Sequence, residues 1–237
     1  MSYGRSLRIG LLVPSSNTTM EPEFHGMAPE GVSVHTARMR LEEVTAEGLV
    51  EMAEDAGRAA GLLATAGVGV IVYGCTTGSL VGGVGWEEGL VRRIKGETGI
   101  HTISTGQAVV EAIKILGGGS VAVATPYTAD LNGLERSFLE SHGIVVTTMT
   151  GLGLVSNLEI GRTGHAVVEE MARSVAGDAD VVFISCTNLP TIPVIERLEG
   201  ELRRPVVTSN QASMWAALRG SGITGIEGYG ELLRSRL

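Results

Sequence analysis

The chain has no long hydrophobic run and no dense stretch of basic residues. Its longest apolar stretch, around residues 62–72, is interrupted by Gly67 and Gly69, so it is too short and too broken to span a bilayer. With a formal net charge of −8 and no basic cluster, neither a nucleic-acid surface nor an anionic-membrane surface is expected. No segment resembles a signal peptide, and a cytoplasmic location is therefore predicted.

Cysteine is scarce as well, and the motifs that hold cofactors are missing. The 237 residues include two cysteines without Cys-x-x-Cys spacing and five scattered histidines, which argues against a zinc site. There is no Walker loop, and Gly151-Leu-Gly153 lacks the third glycine of a dinucleotide fingerprint. We therefore expect no metal and no cofactor, and we expect Cys75 and Cys186 to be free thiols. The acidic helix faces are interpreted as solvated surfaces.

The chain does contain an internal sequence repeat around its two cysteines. Residues 68–79 and 179–190 each carry an apolar, β-branched run, then a small residue, then Cys-Thr. Two further pairs of segments match in the same order, 7–17 with 120–128 and 103–108 with 207–212. Such a repeat predicts a duplicated α/β unit in which each half brings one cysteine to the end of a buried strand.

Apolar runs of strand length alternate with helical periodicity along the chain, which predicts βαβ units and parallel sheets. We predict two pseudo-symmetric, flavodoxin- or Rossmann-like lobes, one of residues 1–116 with 212–237 and one of residues 117–211. The predicted strands are 7–13, 32–39, 68–73, 101–104, 120–124, 145–149, 181–185 and 205–208. The predicted helices are 46–64, with Thr45 as N-cap, and 86–97, 106–116, 130–142, 164–176 and 211–219.

Ligands of open parallel sheets bind beyond the carboxyl ends of the strands, and this rule predicts a cleft with one cysteine on each wall. A helix N-terminus after each Cys-Thr is expected to lower the thiol pKa towards neutrality. A thiolate can attack an electron-poor alkene or take a proton from a carbon acid, while an opposing thiol returns a proton. Neutral hydroxyl and amide donors at the same rim are candidates for holding carboxylates: Ser15, Ser16, Asn17, Thr76, Thr77, Tyr127, Thr187, Asn188, Ser209 and Asn210.

These motifs together resemble the aspartate/glutamate racemase superfamily, and most closely its maleate cis-trans isomerase branch, which is related to arylmalonate decarboxylase. The matching segments span nearly the whole chain: Pro14-Ser-Ser-Asn17, Gly74-Cys75-Thr-Thr-Gly, Thr125-Pro-Tyr127, Asn157-Leu-Glu-Ile-Gly-Arg162 and Ser185-Cys186-Thr.

The resemblance implies a cofactor-independent isomerase that converts maleate, or a close unsaturated dicarboxylate, to fumarate. It assigns Cys75 as the nucleophile that adds to the double bond, and Cys186 as the proton donor and acceptor. It assigns Asn17, Asn157 and Tyr127 to the two carboxylates. It also implies a homo-oligomer, because related enzymes are often oligomeric.

Three alternatives stay open at the level of sequence. Opposed thiols also suit an amino-acid racemase of the aspartate/glutamate type. An arylmalonate-type decarboxylase is a further possibility, although the related decarboxylases need only the second cysteine, so Cys75 counts against it. A binding or sensor protein could keep the cleft without turnover.

Overall fold

The computed structural model describes residues 3–237, which form an α/β fold with two four-stranded parallel sheets. The first sheet contains β1 (Leu7–Pro14), β2 (Val32–Met39), β3 (Val70–Tyr73) and β4 (His101–Ser104). The second contains β5 (Ser120–Thr125), β6 (Val145–Gly151), β7 (Val181–Ile184) and β8 (Val206–Thr208). The strand orders, β2-β1-β3-β4 and β6-β5-β7-β8, are equivalent, and they confirm the predicted duplication and fold class.

All eight predicted strands are confirmed to within two residues at either end. The four inner strands are almost wholly buried, because helices cover both faces of each parallel sheet. Their side chains alternate between two cores. Ile9, Leu11 and Val13 of β1 face one apolar cluster, whereas Leu12 faces the other.

The helices depart from prediction in two ways. The predicted helix 46–64 is two helices that meet at Asp55, and Thr45 caps the first by accepting the Gly48 amide at 3.2 Å. Several short helices were not predicted, because two turns or fewer carry little periodicity. The helices of the first half are α1 (Met20–Met27), α2 (Ala46–Glu54), α3 (Ala56–Thr65), α4 (Thr76–Leu80), α5 (Trp86–Thr98) and α6 (Thr105–Ile115). Those of the second half are α7 (Ala129–Ser141), α8 (Asn157–Gly161), α9 (His165–Val175), α10 (Ile195–Leu202), α11 (Ser209–Leu218) and α12 (Glu231–Ser235).

The two lobes share an apolar core built around α6 and α11. Each of these helices follows the last strand of its sheet, and the two pack against each other. Val72 of the first sheet, Phe183 of the second and Trp215 of α11 belong to the same buried cluster. Because α11 contacts strands of both sheets, the predicted division at residues 116/117 and 211/212 stays a prediction. Within residues 3–237, no helix has the length and apolar character needed to cross a bilayer.

Candidate active site

The inner strands of both sheets end at one shared rim. The Ser15-to-Asn17 loop follows β1, Cys75 follows β3, Tyr127 follows β5 and Cys186 follows β7. Thr187 of the second lobe donates its hydroxyl to the Gly74 carbonyl of the first at 3.2 Å. The rims of the two lobes are therefore in direct contact.

Cys75 is the N-cap of α4, and its sulfur accepts the Gly78 amide at 3.4 Å. The Thr77 hydroxyl lies 3.9 Å from the same sulfur. These donors favour the thiolate, but Cys75 is only 5% exposed and desolvation outweighs them, so burial raises the pKa of the thiol to about 11. The predicted lowering of this pKa towards neutrality is wrong, because the helix N-terminus acts on a sulfur that is removed from water.

Cys186 has a different local structure. No helix begins at this residue, and its φ of 114° is a positive angle that non-glycine residues seldom adopt. Its sulfur accepts the Asn188 amide at 3.3 Å and is hydrogen-bonded to the Tyr127 hydroxyl. Burial dominates again and raises the pKa of the Cys186 thiol to about 12. The predicted helix N-terminus is thus present at Cys75 and wrong for Cys186.

The two thiols lie close enough to affect each other's ionisation. Burial is the largest cause that raises the pKa of Cys186, and a negative charge on Cys75 adds to it. The pKa of Tyr127 is raised first by burial, then by charge on Cys186, on Glu135 and on Cys75. Ser209 joins the two cysteine loops, since its hydroxyl oxygen accepts the Thr76 hydroxyl at 2.9 Å and the Cys186 amide at 3.0 Å. Both cysteines are free, as predicted from the sequence.

A group of amide side chains crosses between the lobes beside the thiols. The Asn188 amide nitrogen donates to the main-chain oxygen of Asn157 at 2.6 Å and to its side-chain oxygen at 3.1 Å. The Asn188 side-chain oxygen accepts the Thr18 amide at 2.9 Å, and Asn157 donates to the Ser16 hydroxyl at 2.8 Å. Asn157 and Asn188 are therefore held rigidly at the junction of the lobes.

Asn17 links this junction to the start of α1. Its side-chain oxygen accepts the amides of Thr19 at 3.0 Å and Met20 at 2.9 Å. Its amide nitrogen donates to the Thr187 hydroxyl at 3.1 Å. One N–H of this amide is thereby engaged, and the other is available to a ligand.

Ser15 differs from the other predicted substrate-binding residues because it is exposed. Its hydroxyl accepts the Leu41 amide at 3.0 Å and is 3.2 Å from the Leu41 carbonyl, so it braces the segment after β2. Its role in substrate binding stays a prediction. The remaining predicted site residues are all buried: Asn17, Cys75, Thr76, Thr77, Tyr127, Asn157, Cys186, Thr187 and Asn188.

The segment after β2 also contacts the second lobe. The Val44 amide donates to the Val155 carbonyl at 2.9 Å, and the Asn157 amide donates to the Glu42 carbonyl at 3.3 Å. These contacts join the first lobe to the segment that leads into α8. The thiols are consequently buried beside a junction that both lobes form.

Sequence reasoning missed a buried carboxyl group that supports the loop after Cys186. Glu23 of α1 accepts the amides of Thr191 at 2.5 Å and Ile192 at 3.0 Å, the Thr191 hydroxyl at 3.2 Å and the Asn210 side chain at 2.7 Å. Asn210 also donates to the Thr187 carbonyl at 3.1 Å. No helix was predicted at residues 20–27, so the interpretation of the acidic helix faces as solvated did not cover Glu23. Glu23 shares the buried face of α1 with Met20, Phe24 and Met27, and this helix is too short for the sequence to reveal that face.

Glu87, Glu135 and Glu169 are likewise buried, contrary to the same interpretation. Burial raises the pKa of Glu87 and of Glu135. Among the residues that the structure describes, no three histidine, cysteine or acidic side chains converge in a way that suits a metal ion.

Known proteins share this architecture over nearly its whole length. A family model described as arylmalonate decarboxylase matches residues 9–233. The chain is 30% identical to a maleate isomerase of Geobacillus stearothermophilus, over 98% of this chain and 99% of that protein. It is 32% identical to a maleate isomerase of Nocardia farcinica, over 96% of this chain and 95% of that protein.

A solved structure extends the comparison to three dimensions. It is a cysteine-to-serine mutant of the Nocardia farcinica maleate cis-trans isomerase with a covalently bound succinylcysteine intermediate. The TM-score is 0.91 at 30% identity, and the match covers 96% of this chain and 98% of that one. The resemblance seen in the sequence motifs is confirmed, and the chain belongs to the arylmalonate decarboxylase family.

Proposed function

We propose that this protein is a cofactor-independent isomerase that converts maleate, or a close unsaturated dicarboxylate, to fumarate. The observation that carries the proposal is the pair of free, buried thiols, Cys75 and Cys186, on loops of opposite lobes that are joined through Ser209. Charge on Cys75 is one of the smaller causes that raise the pKa of Cys186, after burial. The isomerase relatives and the succinylcysteine intermediate of the Nocardia farcinica enzyme support the same chemistry.

In the proposed mechanism Cys75 reacts as its thiolate, which is the minor form at neutral pH because burial raises the thiol pKa to about 11, and its proton is released to solvent. The sulfur bonds to C2 of maleate, and the electron pair of the double bond moves to C3, where the adjacent carboxylate stabilises it as an enolate. The C2–C3 bond is now single and rotates. Cleavage of the C–S bond then re-forms the double bond in the trans geometry and returns Cys75 as a thiolate.

Cys186 handles the proton at C3. Because its pKa is raised to about 12, the group is a neutral thiol at physiological pH and can donate. Transfer of the proton to C3 gives the succinyl adduct and leaves Cys186 as a thiolate. The thiolate takes a proton back from C3 as the C–S bond breaks, so protons and electrons balance over the cycle.

The neutral donors around the thiols are the proposed carboxylate-binding groups. We assign Asn17, Asn157 and Tyr127 to the two carboxylates. One N–H of the Asn17 amide remains for a ligand after its bond to Thr187. Supporting donors are proposed at Ser15, Thr76, Thr77, Thr187 and Asn188. Enclosure by the segments around residues 42–44 and 155–157 protects the adduct from water.

The test is an NMR assay in D₂O with maleate, followed by aspartate, glutamate and a phenylmalonate as separate substrates. Appearance of fumarate from maleate supports the proposal. Solvent deuterium in recovered aspartate or glutamate identifies a racemase, and carbon dioxide release from the malonate identifies a decarboxylase. Tight binding of maleate without turnover identifies a binding protein, and each of these last three results contradicts the isomerase assignment.

We also propose that the protein acts in the cytoplasm as a homo-oligomer. The location is predicted from the absence of a signal-like segment in the sequence, and the homo-oligomer is implied by the family resemblance. Light scattering coupled to size-exclusion chromatography measures the oligomeric state, and a monomeric mass at micromolar concentration contradicts that part of the proposal.

A further inference from the structure

Tyr73 is a buried tyrosine whose hydroxyl has no hydrogen-bond partner within the described chain. It is the last residue of β3 and precedes Cys75 by two positions. A buried hydroxyl without a partner is destabilising, because it loses its bonds to water and gains none in return. Phenylalanine would fill the same space without that penalty, so the hydroxyl needs an explanation.

The orphaned hydroxyl borders the sulfur of Cys75. Gly78 marks the space between them, since a methyl group at Gly78 would lie 2.8 Å from the Tyr73 hydroxyl oxygen and 3.1 Å from the Cys75 sulfur. The added methyl group at Gly78 would also lie 2.9 Å from the terminal methyl group of Met52, so an apolar side chain borders the same space. After burial, charge on Cys75 is the next largest cause that raises the pKa of Tyr73. The two groups are therefore neighbours in a dry environment.

The ionised form of Cys75 is short of hydrogen-bond donors. The Gly78 amide at 3.4 Å and the more distant Thr77 hydroxyl are its donors, and burial still raises the thiol pKa to about 11. A neutral thiol is a weak acceptor, so the resting Cys75 sulfur attracts the Tyr73 hydroxyl only weakly. A thiolate is a strong acceptor, and a third donor would stabilise it.

We propose that the Tyr73 hydroxyl donates a hydrogen bond to the Cys75 sulfur when that sulfur is a thiolate, before attack and again at its expulsion. Tyr73 is thus a further catalytic residue, and it pairs with Cys75 as Tyr127 pairs with Cys186. The hydroxyl keeps its own proton throughout, because burial raises the pKa of Tyr73 well above its ordinary value. This inference rests on the proposed function in assigning Cys75 as the nucleophile.

The test is Tyr73→Phe, which removes one oxygen atom and leaves the packing of the ring. Loss of one bond to a charged sulfur is expected to raise the thiol pKa by about one to two units. Because a more basic thiolate is also more nucleophilic, attack is expected to slow by about three- to tenfold. The kcat/KM for maleate should fall by this factor, while the urea midpoint of unfolding stays the same or rises.

Tyr229→Phe is the matched control. Its hydroxyl donates to the Gly26 carbonyl at 2.5 Å, in a contact remote from the thiols. This variant should lose stability and keep its full kcat/KM, which is the opposite signature to that of Tyr73→Phe.

A second measurement needs no substrate. In a Cys186→Ser background Cys75 is the single cysteine, and its alkylation by iodoacetamide at pH 8 is followed by intact mass. Tyr73→Phe should slow alkylation by the same factor of about three to ten. Slower alkylation in a protein that does not isomerise maleate supports the role of Tyr73 towards the thiolate and contradicts only the proposed substrate. Unchanged alkylation, or unchanged turnover in an active isomerase, overturns the inference and leaves Tyr73 as a packing residue.

Discussion

Glu135 provides a sharp test of how burial controls ionisation in this fold. Its carboxyl group, on α7, is 1% exposed, and one oxygen accepts the Ser185 hydroxyl at 2.5 Å. The other oxygen has no partner within residues 3–237. Desolvation raises the pKa of Glu135 from 4.5 to about 7, although the bond from Ser185 opposes the shift.

The sign of the effect on stability follows from this direction. An acid whose pKa is raised on folding keeps its proton in the native state, while the unfolded chain releases it from about pH 4.5 upwards. The native state therefore binds more protons between pH 4.5 and 7, and stability falls as the pH rises through that window. The total loss is about 3 kcal/mol and is complete above pH 7.

Glu135→Gln removes this loss, because glutamine cannot ionise and still offers an oxygen to Ser185. Relative to the parent, the gain in unfolding free energy from removing the charge should be about 1 kcal/mol at pH 5 and about 3 kcal/mol at pH 8. A constant term from the new amide group adds equally at both pH values. Glu23, Glu87 and Glu199, whose pKa values burial also raises, are present in both proteins and cancel.

Urea unfolding of both proteins at pH 5 and pH 8 measures the effect, with the same substitution at exposed Glu227 as the control. The unfolding free energy of Glu135→Gln minus that of the parent is determined at each pH. This difference should be larger at pH 8 than at pH 5 by about 2 kcal/mol. A value near zero would show that Glu135 ionises in the native state as it does in the unfolded chain. The argument from desolvation would then be refuted.

Three further predictions concern the thiols and their partner. Cys75→Ser should abolish isomerisation and largely retain maleate binding, measured by calorimetry; full activity would falsify the nucleophile assignment. Cys186→Ser should stop turnover and trap a succinyl adduct on Cys75 once water has slowly supplied the C3 proton, because no thiolate is left to remove that proton again. The adduct is detected by intact mass, and a normal rate removes the role of Cys186 in proton transfer. Tyr127→Phe should reduce kcat/KM by an amount equivalent to about 1–3 kcal/mol, and an unchanged value leaves Tyr127 as wall packing.

The fold was largely predictable from sequence, because parallel strands that are buried on both faces consist of short runs of apolar residues. The sequence repeat around Cys75 and Cys186 also predicted two equivalent sheets, and the equivalent strand orders of the two sheets confirm that prediction. Helices of one or two turns, such as α4 and α8, were not predicted, because five residues are too few to show the 3.6-residue spacing of apolar side chains. The break at Asp55 was missed for a related reason, since the apolar stripe continues across it from α2 into α3.

The sequence by itself determined the inventory of the site: two thiols in matched contexts, and hydroxyl and amide side chains at the ends of inner strands. Only the tertiary structure decided how these groups ionise and what supports them. A pKa depends on the water that folding removes, and the helix start at Cys75 was visible in the sequence while its desolvation was not. The bonds from Glu23 to the loop after Cys186 arise from packing between separate elements. Such contacts have no local sequence pattern, because they join residues that meet only when the lobes are assembled.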